Sequence, residues 1–259
     1  MLQNVSGIHG QSFDFKLEYL NSHLFIVLDN QRWLLDTGSP VSFGEDSGLV
    51  FCGRGFQLAR SAMQVTAKDV SRLVGLTTRG LLGTDVINQF DWLFDIPNQT
   101  VTVSPASISR NMFSGKAEII PLNLLAGIPL LHTHVQNQDI KAFFDTGAQF
   151  SYLESSLLAR FPREKVAQDF HPFTGPFQTI LHRVKLVFIS AVEYLDCGRL
   201  PEKLAPILTL SGAKGIIGNE ILLHRLALYS PSQKMLVLEV PERNPNSNSG
   251  VEVEEKTAA

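Results

Sequence analysis

Cysteine is nearly absent. Cys52 and Cys197 are the only two in 259 residues, too few for a disulfide framework and without metal-type spacing. Long apolar runs are missing as well: none approaches the roughly 18 residues that a membrane helix needs. Met1-Leu2-Gln3-Asn4-Val5 brings no positive segment into an apolar stretch, so no signal peptide is visible. A reducing compartment, the cytoplasm, is therefore the expectation. Charge is scarce and balanced, with 22 Lys and Arg against 25 Asp and Glu, a net charge of −3 and a charged share of 18%, below the roughly 25% of an average soluble chain. No basic footprint points to nucleic acid. The 44% of hydrophobic residues leaves ample material for a core and excludes a disordered chain.

What is present is a repeat. Leu34-Leu35-Asp36-Thr37-Gly38-Ser39 returns as Phe143-Phe144-Asp145-Thr146-Gly147-Ala148, 109 positions on (145 − 36). Gly80-Leu81-Leu82-Gly83 returns as Gly215-Ile216-Ile217-Gly218, 135 positions on (215 − 80). Such internal similarity decides the fold before any single element does. Two copies of one unit run from residue 12 to 104 and from 118 to 240. The division expected is an N-terminal lobe (1–104), a Ser- and Pro-containing linker (105–117), a C-terminal lobe (118–240) and a polar, disordered tail (241–259).

Each copy opens with alternating or short apolar runs, 13–19, 23–28 and 32–35 in the first and 119–125, 130–135 and 140–144 in the second. These read as strands, with Asp29-Asn30-Gln31 as a hairpin turn. Short helices are expected at 84–90 and 219–226, and additional ones at 67–73 and 154–160. The rest is β, so the fold class is all-β.

A single Asp-Thr-Gly reads as a turn after a strand. Two copies, each after two large apolar residues and each followed by an apolar-apolar-Gly element, point to chemistry. A carboxylate at the end of a buried strand, then a small hydroxyl residue, then Gly, describes a tight turn where backbone comes close to something. Duplication about a pseudo-two-fold axis brings two such turns face to face. Two carboxyls in contact share one proton. The ionised one can take a proton from an attacking water while the protonated one hydrogen-bonds the developing oxyanion.

On these residues the chain resembles an aspartic protease of the pepsin and retropepsin superfamily with both halves on one polypeptide. The resemblance spans about residues 12 to 240. It implies a bilobal all-β fold with a central cleft, an endopeptidase activity on a peptide or protein substrate, no cofactor or metal, and a monomer that suffices as an internal pseudo-dimer. Asp36 and Asp145 would be the catalytic pair. Thr37 and Thr146 would cross-link the turns, and Gly38 and Gly147 would allow their approach. The segments ending at Gly83 and Gly218 would pass behind the turns as structural elements. Residues 1–11 are too short to resemble a pepsin-type propeptide.

The copies also differ. Only 44 residues (80 − 36) separate Asp36 from Gly80, against 70 (215 − 145) in the second copy. A flap hairpin is therefore expected only in the second half, within 171–186, with Phe173, Thr174, Gly175 and Phe177 at its tip; an ordinary surface hairpin is the alternative. Pepsin-like flaps sit in the first lobe and carry a tyrosine, whereas this segment has none. Ser39 can hydrogen-bond a carboxylate and Ala148 cannot. In the family a similar difference goes with activity at less acid pH, so a mildly acidic to neutral optimum is expected.

Other residues carry less. His132 and His134 share one strand face but lack a third ligand. Asp85 and Glu220 match across the repeat, and a helix dipole suffices to explain them. The cysteines read as small buried apolar groups. Two other readings stay open: a peptide-binding module that has lost catalysis, and a processing protease with one cellular target.

Overall fold

The structure, a computed structural model, describes residues 11–113, 115–171, 175–199, 208 and 210–240. The first half contains β1 (Phe13–Leu20), β2 (His23–Leu28), β3 (Gln31–Leu35), β4 (Phe43–Gly44), β5 (Gly48–Phe51), β6 (Arg54–Gln57), β7 (Ser61–Ala62), β8 (Val65–Thr66), α1 (Ala67–Val74), β9 (Gly80–Leu82), α2 (Thr84–Ile87), β10 (Asp91–Asp95) and β11 (Thr100–Ser104). The second half contains β12 (Ala117–Leu125), β13 (Ile128–Val135), β14 (Gln138–Phe144), β15 (Ser151–Leu153), α3 (Ser155–Leu158), β16 (Lys165–His171), β17 (Gly175–Phe188), β18 (Ala191–Arg199), β19 (Gly215–Ile217), β20 (Leu226–Ser230) and β21 (Met235–Glu239). The protein is mostly β, with few short helices.

The strand pairing repeats as the sequence does. β1, β2 and β3 form an antiparallel meander, and β3 then runs parallel to β9, with Leu35 opposite Leu82. β12, β13 and β14 do the same, and β14 runs parallel to β19, with Phe144 opposite Ile217. The turns of the first meander are made by Asn21-Ser22 and Asp29-Asn30, all at positive φ. Two consecutive left-handed residues match the twist of paired strands, and Asn and Asp tolerate that conformation best.

The halves are joined by hydrogen bonds. β10 pairs with β20, placing Trp92 opposite Tyr229, and each is flanked by its own partners, β11 and β1 on one side, β21 and β12 on the other. Trp92 is fully buried and donates Nε1–H to the Ile87 carbonyl at 2.8 Å; the Tyr229 hydroxyl donates across the halves to Asn88 Oδ1 at 2.7 Å. One apolar cluster runs through both halves, from Leu24 and Phe51 to Phe144 and Leu236.

The segment expected as a linker joins the two halves and is pinned at two of its residues. Ile108 and Phe113 are buried with Leu93, Leu228 and Val237, and the Ile108 amide donates to Asp91 Oδ2 at 3.0 Å. The tail expected beyond residue 240 lies outside the described residues. The additional helix at 67–73 is α1, capped by Thr66, whose hydroxyl accepts from the Asp69 amide while the Asp69 carboxylate accepts from the Thr66 amide. This reciprocal box satisfies two donors that the helix itself leaves open. No helix of the described residues is long and apolar enough to cross a membrane.

Candidate active site

β3 ends at Leu35 and β14 at Phe144, and each hands the chain to an Asp-Thr-Gly turn. The strands behind set the starting points: Asp36 N–H donates to the Leu82 carbonyl at 3.0 Å, and Asp145 N–H to the Ile217 carbonyl at 2.9 Å. Further along, the Thr84 amide donates to the Ser39 carbonyl and the Asn219 amide to the Ala148 carbonyl, at 2.8 and 2.9 Å. Each turn is thus held at both ends by the apolar-apolar-Gly segment of its own half.

Beneath the carboxyls the turns are bonded to each other. The Thr37 hydroxyl donates to the Phe144 carbonyl at 2.8 Å and accepts from the Thr146 amide at 3.0 Å. The Thr146 hydroxyl donates to the Leu35 carbonyl at 2.9 Å and accepts from the Thr37 amide at 3.1 Å. Both threonines are buried. Four bonds therefore satisfy four buried backbone groups and fix the separation of the two aspartates.

Glycine is demanded by the approach itself. A Cβ on Gly38 would lie 2.4 Å from Asp145 Oδ2, and one on Gly147 would lie 2.6 Å from Asp36 Cγ. Each turn's glycine is packed against the opposite turn's carboxyl. The glycine amides fold back on their own aspartates, Gly38 N–H to Asp36 Oδ1 and Gly147 N–H to Asp145 Oδ1, both at 2.9 Å.

The two carboxyls lie within hydrogen-bonding reach of each other. Burial pushes the Asp36 carboxyl well above the usual carboxylate range, and the adjacent charge of Asp145 adds to this. Burial also raises Asp145, but bonds from Asp36 and from the amides of Gly147, Ala148 and Gly38 pull it back down. Two like charges this close in a low-dielectric site favour a singly ionised pair. Each carboxyl accepts from its own turn's glycine amide, so the pair holds one proton and one charge between Asp36 and Asp145.

The pair lies at the floor of a cavity of about 370 Å³. Its walls are largely apolar and come from both halves, Val41, Phe43 and Leu81 on one side and Tyr152, Phe177 and Ile216 on the other. Above it stands a hairpin of β16 and β17, in register from Lys165 opposite Leu181 to His171 opposite Gly175. The hairpin begins six residues before the expected segment (165 against 171). Asp169, Phe170, His171 and Phe177 face the cavity, whereas Gly175 lines a separate groove beside α1. Phe173 and Thr174 lie outside the described residues.

Two expectations need correction. The first half does send a hairpin to the cavity: β7 and β8 are joined by Met63 and Gln64, and Ser61, Ala62, Met63 and Val65 line it. Six residues (61–66) suffice because a two-residue turn closes the ribbon, so the shorter spacing of this half does not exclude one. The Ser39 hydroxyl, secondly, donates to the Val41 carbonyl at 2.9 Å within its own turn. What reaches the carboxylates at this position is backbone, the amides of Ser39 and Ala148. The Ser39/Ala148 contrast therefore supplies no reason for a shifted pH optimum.

The remaining candidates do not line this cavity. Asp85 accepts from the Ser42 amide at 2.9 Å and from its hydroxyl, clamping the loop after the first turn. Glu220 instead accepts from Arg183 and from the Asp196 amide, both at 2.8 Å. His132 meets Asp139 at 3.3 Å on an exposed face. Among the described residues, no group of three or more His, Cys, Asp or Glu is placed to hold a metal ion. Burial raises the Cys52 thiol to about 12 and the Cys197 thiol further, so neither is a thiolate near neutrality. No protein-family model matches this sequence, and no curated protein matches it.

Proposed function

We propose that the chain is an aspartic endopeptidase with the two-lobed fold of the pepsin and retropepsin superfamily. The observation that carries this reading is the pair of Asp-Thr-Gly turns, cross-bonded through Thr37 and Thr146 and presenting Asp36 and Asp145 side by side at the floor of a largely apolar cavity. A singly ionised pair has one base and one acid in the same place, which is what peptide hydrolysis by water requires.

In this reading a water sits between the carboxyls. Asp145 takes its proton as the oxygen attacks the peptide carbonyl carbon, and protonated Asp36 gives its proton to the carbonyl oxygen. The tetrahedral diol then collapses. The C–N bond breaks, the amine leaves with the proton held by Asp145, and one diol hydroxyl returns its proton to Asp36. The pair ends as it began, and the peptide has gained one water. Both carboxyls come from one polypeptide, so a monomer suffices.

The test is cleavage of a diverse peptide pool, read by mass spectrometry from acid to neutral pH, with wild type beside Asp36→Asn and Asp145→Asn. Cuts made by wild type and lost in both variants are expected, and their flanking residues define the subsites. If wild type makes no cut that the variants lack, general endopeptidase activity fails, leaving a single-target protease or a peptide-binding relic.

A further inference from the structure

The β16–β17 hairpin is a two-stranded arm. β17 pairs with β18 only from His182 onward, while residues 175–181 pair with β16 alone. An isolated two-stranded ribbon is marginal in water, so contacts made along its length must hold this arm above the cavity. On the β17 side, Thr179 Oγ1 accepts from the Arg199 amide at 2.9 Å. On the β16 side the anchor is Asp169, a buried carboxylate.

Asp169 gathers donors from below and from its own strand. The Tyr152 hydroxyl donates to Oδ2; Gln149 Nε2 donates to Oδ1 at 2.6 Å, and the Phe170 amide to the same oxygen at 2.7 Å. Gln149 also donates to the Gln168 carbonyl at 3.0 Å. Gln149 directly follows the second turn, and Tyr152 lies three residues further, on β15. The arm is thereby tied to the loop that carries Asp145. Its next residue, Phe170, stacks on His23 of the first half with ring centres 5.4 Å apart, and Phe177 lies against Tyr152 at 6.1 Å.

We propose that Asp169 is a positioning residue for the cleavage reaction: through Tyr152 and Gln149 it latches the hairpin roof to the Asp145 loop, holding Phe170 and Phe177 over the bound peptide. This rests on the endopeptidase reading. The latch fixes contacts that substrate and transition state share, so its loss is felt in KM more than in kcat. Tyr152 supplies a tyrosine to the roof from beneath it, although the hairpin itself carries none.

The experiment pairs kinetics with hydrogen exchange on the ligand-free chain. For Asp169→Ala and Tyr152→Phe, KM for the peptide that wild type cleaves fastest rises by about 10-fold or more while kcat changes by less than about threefold. Amides of residues 165–171 and 175–181 exchange faster, and those of β20 and β21 do not change. Asp169→Asn, whose amide can both accept and donate at these positions, restores most of both. Tyr152→Phe removes one hydroxyl only, so it decides the matter if Asp169→Ala fails to fold. Wild-type exchange in the hairpin of these variants, or equal loss in kcat and kcat/KM with KM unchanged, overturns the proposal. If wild type cleaves nothing, the endopeptidase reading is what fails, and the exchange arm still decides whether the latch exists.

Discussion

Asp36→Asn is expected to lower cleavage by about 10²–10⁴-fold, as loss of a general acid–base group does, and at the same time to make the protein more stable at neutral pH. Both effects come from the same crowding. Burial and the neighbouring Asp145 raise the Asp36 carboxyl well above its ordinary range. A group whose folded pKa exceeds its unfolded value of about 3.9 favours the folded state fully only below that value, and the contribution is lost as pH rises through the folded pKa. At neutral pH the wild type therefore carries a penalty that an uncharged amide escapes. The melting temperature of Asp36→Asn should exceed that of wild type at pH 7 by about 2–4 °C for each kcal/mol relieved in a chain of this size. Near pH 3 the two should converge. A variant less stable than wild type at pH 7, with the gap closing in acid, would contradict a raised Asp36 carboxyl.

The second large effect is expected beneath the carboxyls. Thr37→Val keeps the shape of the side chain and deletes its hydroxyl. The Phe144 carbonyl and the Thr146 amide, bonded to it at 2.8 and 3.0 Å, are then left buried without partners. Each such group costs about 1–3 kcal/mol, so the loss is about 2–6 kcal/mol and the melting temperature falls by roughly 4–24 °C. Thr146→Val should do the same through the Leu35 carbonyl and the Thr37 amide, since the bonds are reciprocal. The double variant should cost less than the sum, because the four bonds form one network. Thr37→Ser, which keeps the hydroxyl, should retain most of the stability. Melting within about 1 °C of wild type for either valine variant would show that the cross-link carries no load.

The doubled motif is legible in the sequence because its chemistry leaves little choice. Gly38 and Gly147 face a carboxyl at under 3 Å from where a Cβ would be, and Thr37 and Thr146 fill reciprocal roles, so the same residue types recur in the same order. The strands before and behind the turns are legible for a similar reason. They are buried runs bounded by turn residues.

The hairpin β7–β8 is not legible, and the cause is local. Its turn is made by Met63 and Gln64 at φ of 48° and 70°, where Asn-Gly or Asp-Gly would have announced it. Asp169 is hidden differently. Within Lys165–His171 it looks like a solvated residue of a strand, and its partners Tyr152 and Gln149 lie 17 and 20 positions away. Only the folded arrangement brings them together. In the connection at 105–117, composition shows the Ser and Pro of a linker but not that Ile108 and Phe113 are buried among residues of both halves.

The arrangement of Asp36 and Asp145 is tested most directly by their own titration, which needs no substrate. Carboxyl ¹³C resonances of the two aspartates, assigned through the single Asn variants, should be followed by NMR from acid to alkaline pH. Two separated ionisations belonging to the pair are expected, the later one well above the ordinary aspartate value of about 3.9, with a single step for the remaining carboxyl in either variant. Two aspartates losing their protons together near pH 4, indifferent to the presence of each other, would contradict it.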